Sequence, residues 1–253
     1  MTSVSRALSF STAAAQYAAN RPSYPPVLFD AIEEITGRPL AGARVADVGA
    51  GTGIATALLH ERGAEVIAVE PGDGMAAEFR RALPEVPIVL GDGNALPLAD
   101  LSRDLITYAQ SWHWTDTSRS VPEALRVLRP GGALALWWNT GAPDVPWAVA
   151  QDERVAHWSG LRPQDRRRPD DSSAGRLAGL AGLPHTRRLL RWSRTVPLGT
   201  HLANITSHSA FLVLDEARTQ EFLVEERELL GEVFPDGMVE ETYVVDLLVM
   251  TKP

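Results

Sequence analysis

Residues 43–59 read Ala43-Arg44-Val45-Ala46-Asp47-Val48-Gly49-Ala50-Gly51-Thr52-Gly53-Ile54-Ala55-Thr56-Ala57-Leu58-Leu59. A short apolar run turns through three glycines and then becomes helical. Strand, glycine-rich turn and helix in that order form the first half of a nucleotide-type site. Glycine lets a backbone approach a ligand without a Cβ clash and adopt positive φ. The helix that follows offers unpaired N–H groups and a partial positive charge to an anionic group. A dinucleotide loop would read G-x-G-x-x-G. Here the glycines fall at 49, 51 and 53, and position 54 is Ile. A plain strand-to-helix turn, the competing reading, needs one glycine or two and no neighbouring Asp47.

Working outward, Pro26 to Thr36 places Val27, Leu28, Ala31, Ile32 and Ile35 at helical spacing, with Gly37 and Pro39 ending the run. Val66-Ile67-Ala68-Val69 reads as a buried strand that ends at Glu70. Pro71-Gly72-Asp73-Gly74-Met75 opens a helix running to Leu83. Further strands are expected at Pro87 to Leu90, Asp104 to Tyr108 and Ala133 to Trp138, with a helix over Val121 to Leu128. Continuous apolar strands alternating with helices predict a parallel sheet covered on both faces. Arg129-Pro130-Gly131-Gly132 is expected to be the turn into the fifth strand. Beyond Asn139 the periodicity weakens. Helices are expected at 145–158, at 201–214 and at 216–230, and strands at 187–196 and 242–250. Leu161 to Gly175 reads as a solvated loop.

Glu70 follows Gly49 by close to the spacing of an acidic ribose ligand, about 20 residues. A carboxylate at the end of the neighbouring strand can accept from both ribose hydroxyls, whether the cofactor is NAD or S-adenosylmethionine. Met75 can lie against a purine face or belong to the core. The stretch after the third strand, Gly91-Asp92-Gly93-Asn94-Ala95-Leu96-Pro97-Leu98, has turn composition. After the fourth strand comes Ala109-Gln110-Ser111-Trp112-His113-Trp114, at the end of the sheet where ligands of open α/β folds sit.

Composition sets limits. The chain has 253 residues, suited to one α/β domain, with a formal net charge of −8 that argues against a nucleic-acid surface. It contains no cysteine, which excludes disulfides, thiolate catalysis and Cys-ligated zinc. Its six histidines show no H-x-x-x-H pair, so no metal is expected. No apolar run approaches a membrane span and the N-terminus lacks a signal-peptide core, so a cytoplasmic protein is expected. Monomer and homodimer are both open.

Four strings, V-A-D-V-G-A-G-T-G, V-I-A-V-E-P, G-D-G-N-A-L-P-L and L-R-P-G-G, stand in that order within residues 41–138. Together they resemble the class I S-adenosylmethionine-dependent methyltransferases. The lead-in Tyr17-Ala18-Ala19-Asn20-Arg21-Pro22-Ser23-Tyr24-Pro25 and the A-Q-S-W-H-W string are similar to the small-molecule branch that contains trans-aconitate methyltransferase. The resemblance implies a Rossmann-like three-layer α/β sandwich. Its seven-stranded, mostly parallel sheet would have order 3-2-1-4-5-7-6, with the last strand antiparallel. It implies a single domain over 1–253, with an N-terminal flap at 1–25 and a cofactor-binding core at 41–138. A divergent substrate and lid region would fill 139–240, and the final strand 241–251.

The resemblance further implies S-adenosylmethionine as cofactor, S-adenosylhomocysteine as product, and a small-molecule methyl acceptor with oxygen, nitrogen or carboxylate as its reacting group. Cofactor contacts fall to Tyr17, Arg21, Asp47, Gly49, Ala50, Gly51, Thr52, Gly53, Glu70, Pro71, Met75, Asp92, Gly93, Asn94, Ala109 and Gln110. Asn94 departs from the pattern, since relatives often carry an acid there. His113 is the candidate general base, or a packing residue between two tryptophans. Trp112 and Trp114 are pocket walls or core, and His201 and His208 are candidate lid residues. Two rivals stand beside this reading: a cofactor-binding module without transfer, and a nucleotide-sugar or NAD enzyme on a similar sheet.

Overall fold

The computed structural model describes residues 21–159, 178–180, 183–207, 211 and 215–253. Helix α1 (Pro26–Thr36) begins at a proline, whose fixed φ suits the first helical position, and ends at Gly37 with φ 64°. It buries Leu28, Phe29, Ala31 and Ile32. There follow β1 (Arg44–Val48), α2 (Ile54–Glu61), β2 (Glu65–Glu70), α3 (Asp73–Ala82), β3 (Ile88–Leu90) and β4 (Arg103–Ala109). Then come α4 (Thr117–Val127), β5 (Leu128–Gly141), α5 (Pro146–Ser159) and β6 (His185–Pro197). Helices α6 (Leu198–Thr206) and α7 (Glu216–Val233) lead to β7 (Met238–Thr251).

The sheet has the expected order, β3-β2-β1-β4-β5-β7-β6. Strands β1 to β5 pair in parallel, and β7 runs antiparallel to both its neighbours. One apolar cluster joins α1, α2 and Phe79 of α3 to one face of the sheet. The other joins α4 to the opposite face. Among the described residues no helix is long and apolar enough to cross a membrane.

Three local expectations need correction. Residues 129–132 are not a turn ahead of the strand but an irregular start of β5 itself, with a register shift opposite Arg103 and Leu105. Gly131 there has φ 69°, and a Cβ on Gly132 would meet the carbonyl oxygens of Arg129 and Asp104 at 2.9 and 3.0 Å. The helix expected over 201–214 is α6, which stops at Thr206; residues 208–210 and 212–214 lie outside the described residues. The final strand begins at Met238, earlier than expected. Residues 1–20 of the expected flap and the expected loop at 161–175 also lie outside the described residues.

Strand β7 is interior because both its faces are apolar. Leu247 and Val249 enter one cluster, Leu248 and Met250 the other. Strand β6 alternates half-buried and exposed residues and so takes the edge. Within the apolar stretch Val244 to Met250 of β7 the interruption is Asp246, 2% exposed, which Arg187 of β6 meets with two bonds of 2.8 and 3.1 Å. A buried carboxylate is tolerated only with such a partner, and a one-residue slip would strand it. Arg187→Met should therefore destabilise the fold by about 3–5 kcal/mol. The double variant with Asp246→Leu should recover most of that loss in a urea titration.

Candidate active site

The strand order reverses between β1 and β4, and in open α/β sheets the ligand crevice lies at such a point, outside the carboxyl ends of the strands. The three glycines of the loop above β1 serve three different needs. Gly49 has φ 67°, and a Cβ would lie 2.4 Å from that of Ser111, whose hydroxyl donates to the Val48 carbonyl at 2.5 Å. Gly53 has φ 95° at the start of α2, and a Cβ there would meet Leu83 at 2.7 Å. Gly51 has φ 59° and open space where its side chain would be. It is the point at which a ligand can touch backbone. Beside it, the Thr52 hydroxyl is buried with no hydrogen-bond partner among the described residues.

Two acids brace this loop. Asp47 is fully buried, and its two oxygens accept from Thr56 of α2 at 2.6 Å and from Thr107 of β4 at 2.8 Å. It faces the interior rather than the crevice, tying α2 to the central strands. Burial pushes its carboxyl above the usual range, against those two bonds. Glu70 ends β2 and accepts from Gly51 N and from Gly72 N, each at 2.9 Å. Burial raises its carboxyl too, the two amides oppose this, and Asp47 adds to the rise. Each Glu70 oxygen keeps a second lone pair, so the residue can still accept from a ligand's hydroxyls.

Beyond β3, Asp92 is exposed and one of its oxygens takes both the backbone and the side-chain N–H of Asn94, each at 2.8 Å. The Asn94 amide oxygen accepts from Asp116 N at 2.7 Å. A carboxylate at 94 could not donate the side-chain bond to Asp92, which accounts for the amide. Gly93 is pressed against Tyr108 and Thr115, and the Tyr108 hydroxyl donates to its carbonyl at 3.2 Å. Met75 is buried yet belongs to neither apolar cluster, and Pro71 is exposed. Ala50 and Ala109 pack against the first cluster, and half-buried Arg21 opens the described chain.

At the end of β4, Gln110 has φ 58°, one of two non-glycine residues in that region among those described. Its N–H donates to the Trp137 carbonyl at 2.9 Å, which holds the strained turn in place. A short 3-10 turn then carries Trp112, His113 and Trp114. Trp112 is 1% exposed and packs edge-on to Tyr108 in the second cluster, so it belongs to the core rather than to an open wall. His113 and Trp114 are half-buried neighbours, ring centroids 4.7 Å apart. The Trp138 indole donates to His113 Nδ1 at 3.3 Å. A neutral ring that accepts at Nδ1 carries its hydrogen on Nε2, where it is a donor.

His201 is not on a surface lid. It is 3% exposed, between Glu241 at 2.7 Å on Nδ1 and the Gln151 amide oxygen at 2.9 Å on Nε2. That amide is oriented by Glu226, which needs its N–H and which Arg154 also binds. Both ring nitrogens thus face acceptors. Glu241 also accepts from Arg194 at 2.6 Å and from the Tyr243 hydroxyl at 2.9 Å, and Tyr243 accepts from Asn204 at 3.3 Å. None of these partners announced itself in the sequence, since they come from α5, α6, α7, β6 and β7. Tyr17 and His208 lie outside the described residues. Among those described, no group of three or more His, Asp or Glu is placed to hold a metal ion.

Burial would raise Glu241, but the bonds from His201 and Arg194 outweigh it and hold the carboxyl at about 2, against an ordinary 4.5. A depressed carboxylate stabilises the fold above its unfolded value and loses that contribution as pH falls. Glu241 should therefore contribute about 3 kcal/mol at neutral pH, lost between about pH 4.5 and about 2. Glu241→Gln should lose this at pH 7 and show a correspondingly shallower acid limb in pH-dependent urea unfolding.

Residues 46–136 match a family model described as a methyltransferase domain. An uncharacterized methyltransferase of Mycobacterium tuberculosis is 46% identical over 140 residues, covering 55% of this chain and 56% of that protein. The chain thus spans about half the length of the curated relatives it matches. A candidate type II methyltransferase from Anaeromyxobacter dehalogenans superposes with a TM-score of 0.68 at 24% identity, over 92% of this chain and 97% of that one. A Haemonchus contortus phosphoethanolamine N-methyltransferase, solved with S-adenosyl-L-methionine, superposes with a TM-score of 0.52 at 15% identity, over 96% and 57%. Residues 46–136 are thus similar to a methyltransferase domain, and the sheet order is the one that the superposed methyltransferase structures share.

Proposed function

We propose that this protein transfers a methyl group from S-adenosylmethionine to a small molecule. The observation that carries the reading is Glu70, clasped by Gly51 N and Gly72 N at the rim of the crevice with lone pairs to spare. Ribose hydroxyls complete that carboxylate's shell. Gly51 provides the open backbone for close approach, and the unsatisfied Thr52 hydroxyl gives a further polar contact. Met75, Asp92 and Gly93 border the adenine, with the second Asp92 oxygen as acceptor. Gln110, held in its left-handed turn, presents backbone to the methionine end, and Arg21 lies near the carboxylate. Asp47 acts through Thr56 and Thr107 as a positioning residue.

Bound S-adenosylmethionine supplies an activated methyl: the acceptor's lone pair forms the new bond to carbon as the carbon–sulfur bond breaks onto sulfur. What remains for the protein is alignment and exclusion of water, and orientation of this kind is worth about 7–11 kcal/mol. His113 contributes by donating from Nε2, because its other nitrogen is engaged by Trp138.

Calorimetric titration with S-adenosylmethionine and S-adenosylhomocysteine, with NAD as control, tests the cofactor. Both should bind, NAD should not, and Glu70→Ala should weaken binding at least thirtyfold, about 2 kcal/mol. Failure of a folded protein to bind either would refute the assignment. Removal of a working general base costs about 10²–10⁴ in rate. His113→Gln should instead keep kcat within about tenfold of the parent.

A further inference from the structure

Asn139 stands near the carboxyl end of β5, two residues beyond Trp137 and on the same face of the sheet. Trp137 is in register with Ala109, and its carbonyl receives the Gln110 N–H. Asn139 therefore stands beyond the Gln110 turn, toward the carboxyl end of the sheet. Its amide oxygen is taken by the Trp192 indole N–H at 3.0 Å, while its Nδ2 is buried without a hydrogen-bond partner among the described residues. The amide cannot flip to repair this, because the reversed group would set Nδ2 against the indole donor.

The orientation is enforced from below. Trp192 stacks on Tyr243 with centroids 5.1 Å apart and planes 26° apart. Tyr243 is pinned through its hydroxyl to Glu241 and Asn204, and Glu241 to His201 and Arg194. Arg194 has a buried nitrogen, Nη2, without a hydrogen-bond partner among the described residues. A buried donor left unsatisfied is costly, and here two lie in one cluster of linked side chains. Donors in excess, with no matching acceptor, describe a site for a hydrogen-bond-accepting oxygen.

We propose that Asn139 is the specificity-determining donor of the acceptor pocket. It binds an oxyanion of the methyl acceptor through Nδ2, which makes that acceptor a carboxylate, phenolate or enolate rather than a simple amine. Trp192 is the positioning residue for this contact. The inference rests on the methyl-transfer reading, and its test is arranged to separate the two.

The chain has four asparagines, at 20, 94, 139 and 204, so selective ¹⁵N-asparagine labelling gives four side-chain amides. Asn139→Asp removes one and so identifies it. Sodium benzoate, 4-nitrophenolate and acetylacetonate serve as oxyanion probes, with benzylamine and cyclohexylamine as controls. Each is titrated with and without saturating S-adenosylhomocysteine. At least one oxyanion probe should move the Asn139 amide protons downfield saturably, and the amines should not. Asn139→Asp should weaken that probe at least tenfold, the worth of one hydrogen bond, and Trp192→Phe about as much, both with S-adenosylhomocysteine affinity within about threefold of the parent. If no oxyanion probe moves the Asn139 amide, or if both variants bind the probes like the parent, the proposal is overturned. Failure of S-adenosylhomocysteine to bind would instead strike at methyl transfer, and leave the Asn139 response to be scored alone.

Discussion

The contact on which the site depends is the pair of hydrogen bonds that Glu70 accepts from Gly51 N and Gly72 N. One carboxylate thereby joins the loop after β1 to the loop after β2. Burial opposes its ionisation, and the two amides compensate in part. The rim of the crevice is therefore preorganised. A ligand that brings hydroxyls to the remaining lone pairs meets an acceptor already held in position, and little ordering remains to be done on binding.

Behind that rim the buried Asp47 serves a different purpose from the one its place in the motif implies. Its oxygens are spent on Thr56 and Thr107, so it fixes α2 against β4 and sets the depth of the glycine loop. Ser111 completes the arrangement by filling the space that a side chain at Gly49 would need. The loop geometry thus follows from three strands at once. Only Gly51 faces outward.

The other half of the sheet works on the same principle with more charge. Strand β7 carries Glu241 and Asp246 into the interior, and β6 answers with Arg194 and Arg187. These pairs hold the register of β6 against β7. The register in turn lays Trp192 over Tyr243 and brings its indole to Asn139. Asn139 is in this way held by residues more than a hundred positions beyond the glycine loop.

The sequence by itself determined the βαβ core: the apolar runs, the glycine spacing at 49, 51 and 53, the acid at 70 and the loop at 91–98 all have local physical causes. Periodicity, φ preference and turn chemistry act within a few residues, so they can be read from a string. It also contained the reason for β7's interior place, in the apolar stretch from Val244 to Met250, and for the edge position of β6, in its four arginines. What the string could not reveal was pairing at a distance. Thr107 meets Asp47 only because β4 lies beside β1, His113 turns its Nδ1 to Trp138 only because β5 adjoins the 3-10 turn, and His201 is buried only because α5, α7 and β7 converge on it. Hydrogen bonds are directional and short-ranged, so which polar groups satisfy one another, and which are left over for a ligand, is decided by tertiary structure alone.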